Sequence, residues 1–144
     1  MERKKVDITV WVLVDISPDI VWRYWNNPAH IVGWNSASDD WHTTNAINDL
    51  RVGGYFSSRM EAKDHSMGFD FEGRYDEVVP NKKIAYTLAD GRKVKVVFTE
   101  VDDKTEITET FDAEGENPVE LQREGWQAIL NRFKHYVESN EKQQ

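Results

Sequence analysis

The chain has 144 residues, a formal net charge of −8 and no cysteine. A single domain of this length buries roughly 70% of the surface its unfolded chain exposes and needs no covalent staple, and the missing thiols exclude disulfides, thiol catalysis and zinc sites with sulfur ligands. The acidic balance opposes nucleic-acid binding, and no run approaches the ~18 apolar residues of a membrane span.

The basic start Arg3-Lys4-Lys5 is not followed by the uniform apolar segment of a signal peptide, because Asp7, Thr9 and Asp15 interrupt it. The expectation is one cytoplasmic domain over residues 1–144, with its core at about 6–138 and a frayed tail from Glu141 to Gln144. Val6, Ile8, Val10, Val12, Val14 and Ile16 fall on every second position, which predicts a strand with one buried face. Trp11 and Leu13 on its other face suggest partial cover there as well. Ser17 then reads as a helix cap and Pro18 as the first helical position, where a missing N–H costs nothing. That helix runs to about Trp25 and breaks at Asn26-Asn27-Pro28; a second short one, about Ala29 to Gly33, leads to Trp34. Asn35 to Asp40 is loop.

A meander of strands follows. Trp41 to Asn48 and Tyr55 to Ala62 flank the turn Asp49-Leu50-Arg51-Val52-Gly53-Gly54. Phe69 to Val79 is long and ends at Pro80-Asn81. Lys83 to Leu88 ends at Asp90-Gly91, and Arg92 to Val101 forms a hairpin with Lys104 to Phe111 around Asp102-Asp103. The basic stretch Arg92-Lys93-Val94-Lys95 alternates with apolar residues, as the solvent face of a strand does. A long helix closes the chain: Asn117 as cap, Pro118 first and Glu120 third make a capping-box arrangement. Leu121, Trp126, Ile129, Leu130, Phe133 and Val137 form its apolar stripe. Gly125 inside it costs about 1 kcal/mol relative to alanine, a cost that close approach of a strand or a ligand would explain. An antiparallel sheet of this size must bury one face, and the long helix is the element able to cover it. The expected class is α+β: a curved antiparallel sheet around the C-terminal helix, with a cavity in the gap between them.

The segments Ser17-Pro18-Asp19-Ile20-Val21-Trp22, Trp34, Asp49 to Gly54, Gly73 with Glu77-Val78-Val79-Pro80, and Gly125-Trp126 occur in an order and spacing that resemble the SRPBCC (START-like) superfamily. Within it, the chain is similar to the domain related to the activator of the heat-shock-protein-90 ATPase, from about Val6 to Val137. The resemblance implies a helix-grip fold around an apolar cavity. It says less about activity, since the superfamily includes lipid and hormone binders, polyketide cyclases and co-chaperone domains, and fold does not set function.

Strand parity selects the side chains that should face the cavity. Phe69, Phe71, Gly73 and Tyr75 share one face of the long strand. Phe56, Ser58 and Met60 share a face, as do Ile84, Tyr86 and Leu88, then Val94, Val96 and Phe98, and finally Thr105, Ile107, Glu109 and Phe111. The small residues Ser58, Gly73 and Gly125 would leave room. The candidate ligand-binding set is Trp34, Phe56, Met60, Phe69, Phe71, Tyr75, Tyr86, Phe98, Glu109, Arg123, Trp126 and Ile129. For each of them plain core packing is the competing reading, because interiors leave few voids. Glu109, turned inward, would need a partner or become protonated. It could anchor a ligand or act as acid or base; alternatively the strand is bulged there, or the carboxylate pairs with an arginine or lysine. Trp34, Trp41 and His42 flank the loop at the cavity mouth, with Trp34 also able to plug the core and His42 reading as a surface histidine. Arg123, one turn from Trp126, could hold an anionic head group or simply be solvated.

Other chemistry finds no pattern. His30, His42, His65 and His135 lack metal-ligand spacing, no serine sits in a nucleophile elbow, and Gly53-Gly54 is not a phosphate loop. No metal or cofactor is expected. Three functions stay open: a non-catalytic binder of a small hydrophobic molecule, lipid, polyketide-like or aromatic; a protein-interaction module whose acidic surface docks on a basic partner face; and a cyclase or dehydratase with Glu109, Tyr75 and Tyr86 as its only candidate groups. The chain shows no counterpart of the separate N-terminal domain of chaperone activators, which argues against chaperone activation. Neither nucleic acid nor membrane insertion is expected.

Overall fold

Strand β1 (Asp7–Val14) leads into helices α1 (Pro18–Asn26) and α2 (Pro28–Trp34). Six strands follow, β2 (Trp41–Asn48), β3 (Tyr55–Ala62), β4 (Gly68–Val79), β5 (Lys83–Leu88), β6 (Lys93–Val101) and β7 (Lys104–Asp112), and then helix α3 (Val119–Lys142). The structure, a computed structural model, describes residues 6–142; the Arg3-Lys4-Lys5 stretch and the tail residues Gln143 and Gln144 lie outside them. The strands make one antiparallel sheet in the order β1-β7-β6-β5-β4-β3-β2. Consecutive strands from β2 to β7 are neighbours, and β1 pairs with β7. The sheet curls around α3, the helix-grip arrangement.

The alternation in β1 is realised: Ile8, Val10, Val12 and Val14 are buried. The opposite face is more open than Trp11 and Leu13 suggested, since Trp11 is 59% exposed. The edge of β1 is instead closed by side chains of α3. Gln127 donates from Nε2 to the Trp11 carbonyl (2.9 Å), Lys134 donates to the Leu13 carbonyl (2.6 Å), and Glu138 accepts from the Asp15 amide (2.8 Å). A free edge is a template for pairing with another chain, and these bonds occupy it. On α3 the stripe is narrower than predicted. Leu130, Phe133 and Val137 are fully buried, whereas Leu121, in the first turn beyond the sheet's cover, is 55% exposed.

Two helix starts differ from the sequence signals. Ser17 makes no side-chain cap to α1; its hydroxyl donates to Asp19 (2.7 Å). At α3 the capping box does not form, and Glu120 pairs with Arg123. Gln122 takes over: its Oε1 accepts from the Glu114 amide, and its Nε2 donates to the carbonyls of Glu114 and Asn117. This buried amide ties the β7–α3 loop to the helix and satisfies backbone groups that would otherwise lose hydrogen bonds. Asn27 does cap α2, its Oδ1 accepting from the Ala29 amide (3.0 Å). The expected tail is partly ordered: Glu141 lies in α3 and accepts from the Tyr24 hydroxyl (2.7 Å). Burial, with that bond second, pushes the Tyr24 phenol up to about 12.

A β-bulge in β4 between Tyr75 and Glu77 shifts the parity of that strand. Beyond it Val78 turns toward the core, and Asp76 and Glu77 both face water. Before the bulge Gly73 is buried where the sheet is tight: a Cβ there would lie 2.4 Å from the Thr87 carbonyl oxygen and 3.1 Å from the Phe56 ring. Gly73 therefore serves close packing of backbone and ring rather than leaving room in a cavity.

Candidate functional site

Between the inner face of the sheet and the N-terminal half of α3 lies a cavity of about 490 Å³, with α1, α2 and the loop before β2 around it. Its opening on the helix side comes from Gly125, where an added Cβ would meet nothing within 4 Å. No strand approaches this glycine, so the first of the two explanations for its cost falls. On the sheet side Ser58 lines the cavity between Phe56 and Met60.

Of the candidate residues, Trp34, Phe56, Met60, Phe69, Phe71, Tyr75, Tyr86, Glu109, Trp126 and Ile129 all line this space. Two do not. Phe98 is buried deeper, its ring edge-on to Trp22 (5.4 Å) and Trp25 (5.6 Å), because α1 covers that end of β6. Arg123 leaves the cavity and pairs with Glu120 one turn back on the surface of α3. Phe69 stands at the rim rather than inside, 47% exposed. Its part of β4 pairs with β3 only, since pairing with β5 begins at Gly73, and its ring packs beside Trp41 (5.9 Å). Trp34 is both plug and wall: buried against Trp25 and Phe133, it donates from Nε1 to the Tyr24 carbonyl (3.1 Å). His42 is not a surface histidine; it is half-buried, and its Nε2 is buried without a hydrogen-bond partner among the described residues.

The aromatic walls pack edge to face. Phe56 meets Tyr86 at 4.8 Å and 74°, Phe71 meets Trp126 at 5.9 Å and 72°, and Trp126 stacks on Phe111. Tyr75 is fixed at its polar end. Its hydroxyl donates to Asn48 Oδ1 (2.5 Å), and Asn48 donates in turn to the Asn26 carbonyl (2.8 Å). Its backbone is held by the β2–β3 turn, through Gly53 N–H to Tyr75 O (2.8 Å) and Tyr75 N–H to Gly54 O (3.0 Å). The phenols of Tyr75 and Tyr86 are both pushed up, mainly by burial.

Glu109 lies at the centre of β7, opposite Val10 of β1 and Val96 of β6, in a register unbroken on both sides. The residue is 6% exposed and turned into the cavity. Neither alternative offered for it holds: the strand is not bulged there, and no group among the described residues hydrogen-bonds its carboxyl or pairs with it. Burial pushes its carboxyl up to about 8, because the charged form loses water and gains nothing in return. At neutral pH Glu109 is therefore mostly a neutral acid, able to donate one hydrogen bond and accept others.

Several wall residues carry no sequence signal strong enough to select them. Trp25, Asn26, Asn48, Arg92 and Gln122 all reach the cavity. Trp25 follows Val21 at helical spacing and could have been chosen that way; the two asparagines sit at element ends that strand parity does not reach. No group of three or more His, Asp or Glu among the described residues is placed to hold a metal. No helix among them is long and apolar enough to cross a membrane.

Residues 15–138 match the model of a family described as Activator of Hsp90 ATPase homolog 1-like protein. A solution structure of an AHSA1-like protein from Aeromonas hydrophila is 42% identical over 94% of each chain, with a TM-score of 0.88. The protein Chr148 from Cytophaga hutchinsonii is 54% identical over 96% of each chain, with a TM-score of 0.81. The protein NE0264 from Nitrosomonas europaea, 17% identical with a TM-score of 0.81 over 94% of this chain and 96% of its own, shares the fold. No curated protein matches the chain.

Proposed function

The chain belongs to the Activator of Hsp90 ATPase homolog 1-like family, within the SRPBCC superfamily, and from that premise we propose that it is a non-catalytic binder of a small hydrophobic molecule held between the sheet and α3. One observation carries the reading: a cavity of about 490 Å³, walled by aromatic side chains, contains the buried carboxyl of Glu109, which no group among the described residues hydrogen-bonds or pairs with. Apolar concavities with a few placed polar groups are how small-molecule sites are built. Catalysis is poorly supported. Tyr75 is committed to Asn48, and no second acid or base stands in hydrogen-bond contact with Glu109 among the described residues.

The test is to extract the purified native protein with organic solvent, identify what is released by mass spectrometry, and titrate it back while following tryptophan fluorescence. Trp25, Trp34, Trp41 and Trp126 all line the cavity and should report its occupancy. A single apolar compound that shifts emission at one-to-one stoichiometry is the expected result. An empty extract together with no response to a diverse apolar library would overturn the reading.

The family's description favours a second reading, a module that docks on a chaperone. With a net charge of −8 such docking would use a basic partner face. A pull-down dominated by one chaperone, weakened by salt, would support it over the first.

A further inference from the structure

Resting on the cavity-binding reading, we infer that the ligand is a lipophilic amine, an apolar or aromatic molecule whose one basic nitrogen seats as an ammonium against the carboxylate of Glu109. The charges around the cavity decide its sign. The titratable and charged groups that share it with Glu109 are Tyr75 of β4, Tyr86 of β5, Arg92 ahead of β6 and Glu114 after β7. The wall residues of α1, α2, β2, β3 and α3 bring none, and β1 presents Val10. Arg92 is the one cation among these groups, and its Nε is already bonded to Asp90 (2.8 Å). An anionic head group would have to share the Arg92 guanidinium with Asp90, on the same walls that carry the carboxyls of Glu109 and Glu114.

A cation finds the opposite. The Glu109 carboxylate supplies the counter-charge. The Tyr86 hydroxyl, with no hydrogen-bond partner among the described residues, supplies an acceptor. The rings of Phe56, Phe71, Tyr86 and Trp126 surround one space, and an ammonium over a ring face is attracted most strongly where water is excluded. An ammonium would also stabilise what the surrounding side chains do not, the charged form of a buried carboxyl.

Binding of this kind carries a proton signature. Glu109 is held protonated up to about pH 8, so seating an ammonium releases that proton. Affinity should rise about tenfold per pH unit below pH 8, then fall once the amine itself loses its charge near its own pKa, for an alkylamine about 10. A neutral ligand that accepts a hydrogen bond from the Glu109 carboxyl would show a flat affinity below pH 8 and a loss above it.

Decylamine, decanol and decanoate share one chain and differ in head group. Each is titrated into the native protein and into Glu109→Gln, by calorimetry and tryptophan fluorescence, between about pH 6 and about pH 9. The expected result is a preference of tenfold or more for decylamine over decanol near pH 8, decanoate weakest, with the rising pH profile. Glu109→Gln should lose the amine preference and the pH profile while still binding decanol, which also shows that the variant is folded. Tyr86→Phe should weaken decylamine a few-fold and decanol less. If decanol or decanoate matches decylamine and Glu109→Gln changes nothing, the amine assignment fails while the cavity remains a binding site. If none of the three binds the native protein, the cavity-binding reading fails and takes the amine assignment with it.

Discussion

Phe111 on β7 and Trp126 on α3 lie face to face, their ring centroids 3.8 Å apart and their planes 12° from parallel. The pair pins the helix to the sheet two residues along β7 from Glu109, and the two rings sit in different surroundings. Phe111 is fully buried among close-packed neighbours, whereas Trp126 is half-buried and borders the cavity. Deleting a ring from packed core costs the lost transfer energy plus that of the void left behind, about 3–5 kcal/mol for Phe to Ala. Phe111→Ala should lose stability in that range. Trp126→Ala, which enlarges a space already present, should lose less. Urea unfolding checks the order, read from midpoints at unchanged slope.

Glu109 makes stability depend on pH in a direction opposite to that of ordinary ion-paired carboxylates. Its folded pKa, about 8, lies above the unpaired value of 4.5. Below pH 4.5 folded and unfolded chains both hold the proton, and the site costs nothing extra. Between pH 4.5 and pH 8 the unfolded chain gives it up and the folded chain keeps it, so stability falls with rising pH, by at most about 1.4 kcal/mol per unit from this group. Above pH 8 both are ionised and the slope ends. Glu109→Gln removes the contribution. The variant should match the native protein near pH 4.5 and become progressively more stable than it toward pH 8. Urea midpoints for the two proteins at several pH values test this; parallel profiles would mean that Glu109 ionises normally in the fold.

Gly73 and Gly125 are both glycines inside regular elements, and the structure gives them opposite constraints. At Gly73 a methyl group would press on the Thr87 carbonyl oxygen at 2.4 Å, and that oxygen is backbone in the adjacent strand. Overpacking of this sort costs about 1–3 kcal/mol. Gly73→Ala should therefore be destabilised by that amount in thermal or urea melts, with Tyr75 and Phe56 displaced next to the site.

The architecture was legible because its signals are periodic or local. The alternation from Ile8 to Val14, Pro18 at a helix start, the break at Asn26-Asn27-Pro28 and the turns at Asp90-Gly91 and Asp102-Asp103 each act within a few residues. Strand parity also carried Glu109 inward, since β7 pairs without a slip on either side. What the sequence hid is set by distant groups. The bulge at Asp76 moves Glu77 outward, and its neighbour strand, not its own composition, shows it. The start of α3 is closed by Gln122, whose partners lie in the preceding loop, rather than by the box that Asn117 and Glu120 spell. Phe98 has cavity parity but is claimed by Trp22 and Trp25 of α1, and Arg123 turns to Glu120. Parity names the face of a strand; which part of that face is covered depends on where the helices lie.

Gly125 gives a direct handle on the cavity. Its helix position carries a cost of about 1 kcal/mol relative to alanine, and an added Cβ would meet nothing within 4 Å. Gly125→Ala should therefore raise stability by up to that amount, because the methyl group enters empty space. Gly125→Leu should keep the fold at no loss of stability, since leucine is a good helix former and its side chain fills the void between α3 and the walls made by Phe71 and Tyr86. The same filling should abolish binding of decanol and decylamine alike, in contrast to Glu109→Gln, which spares decanol. If Gly125→Ala is less stable than the native protein, the helix is closer to the sheet than described. If Gly125→Leu folds and still binds both probes with native affinity, the ligand sits elsewhere.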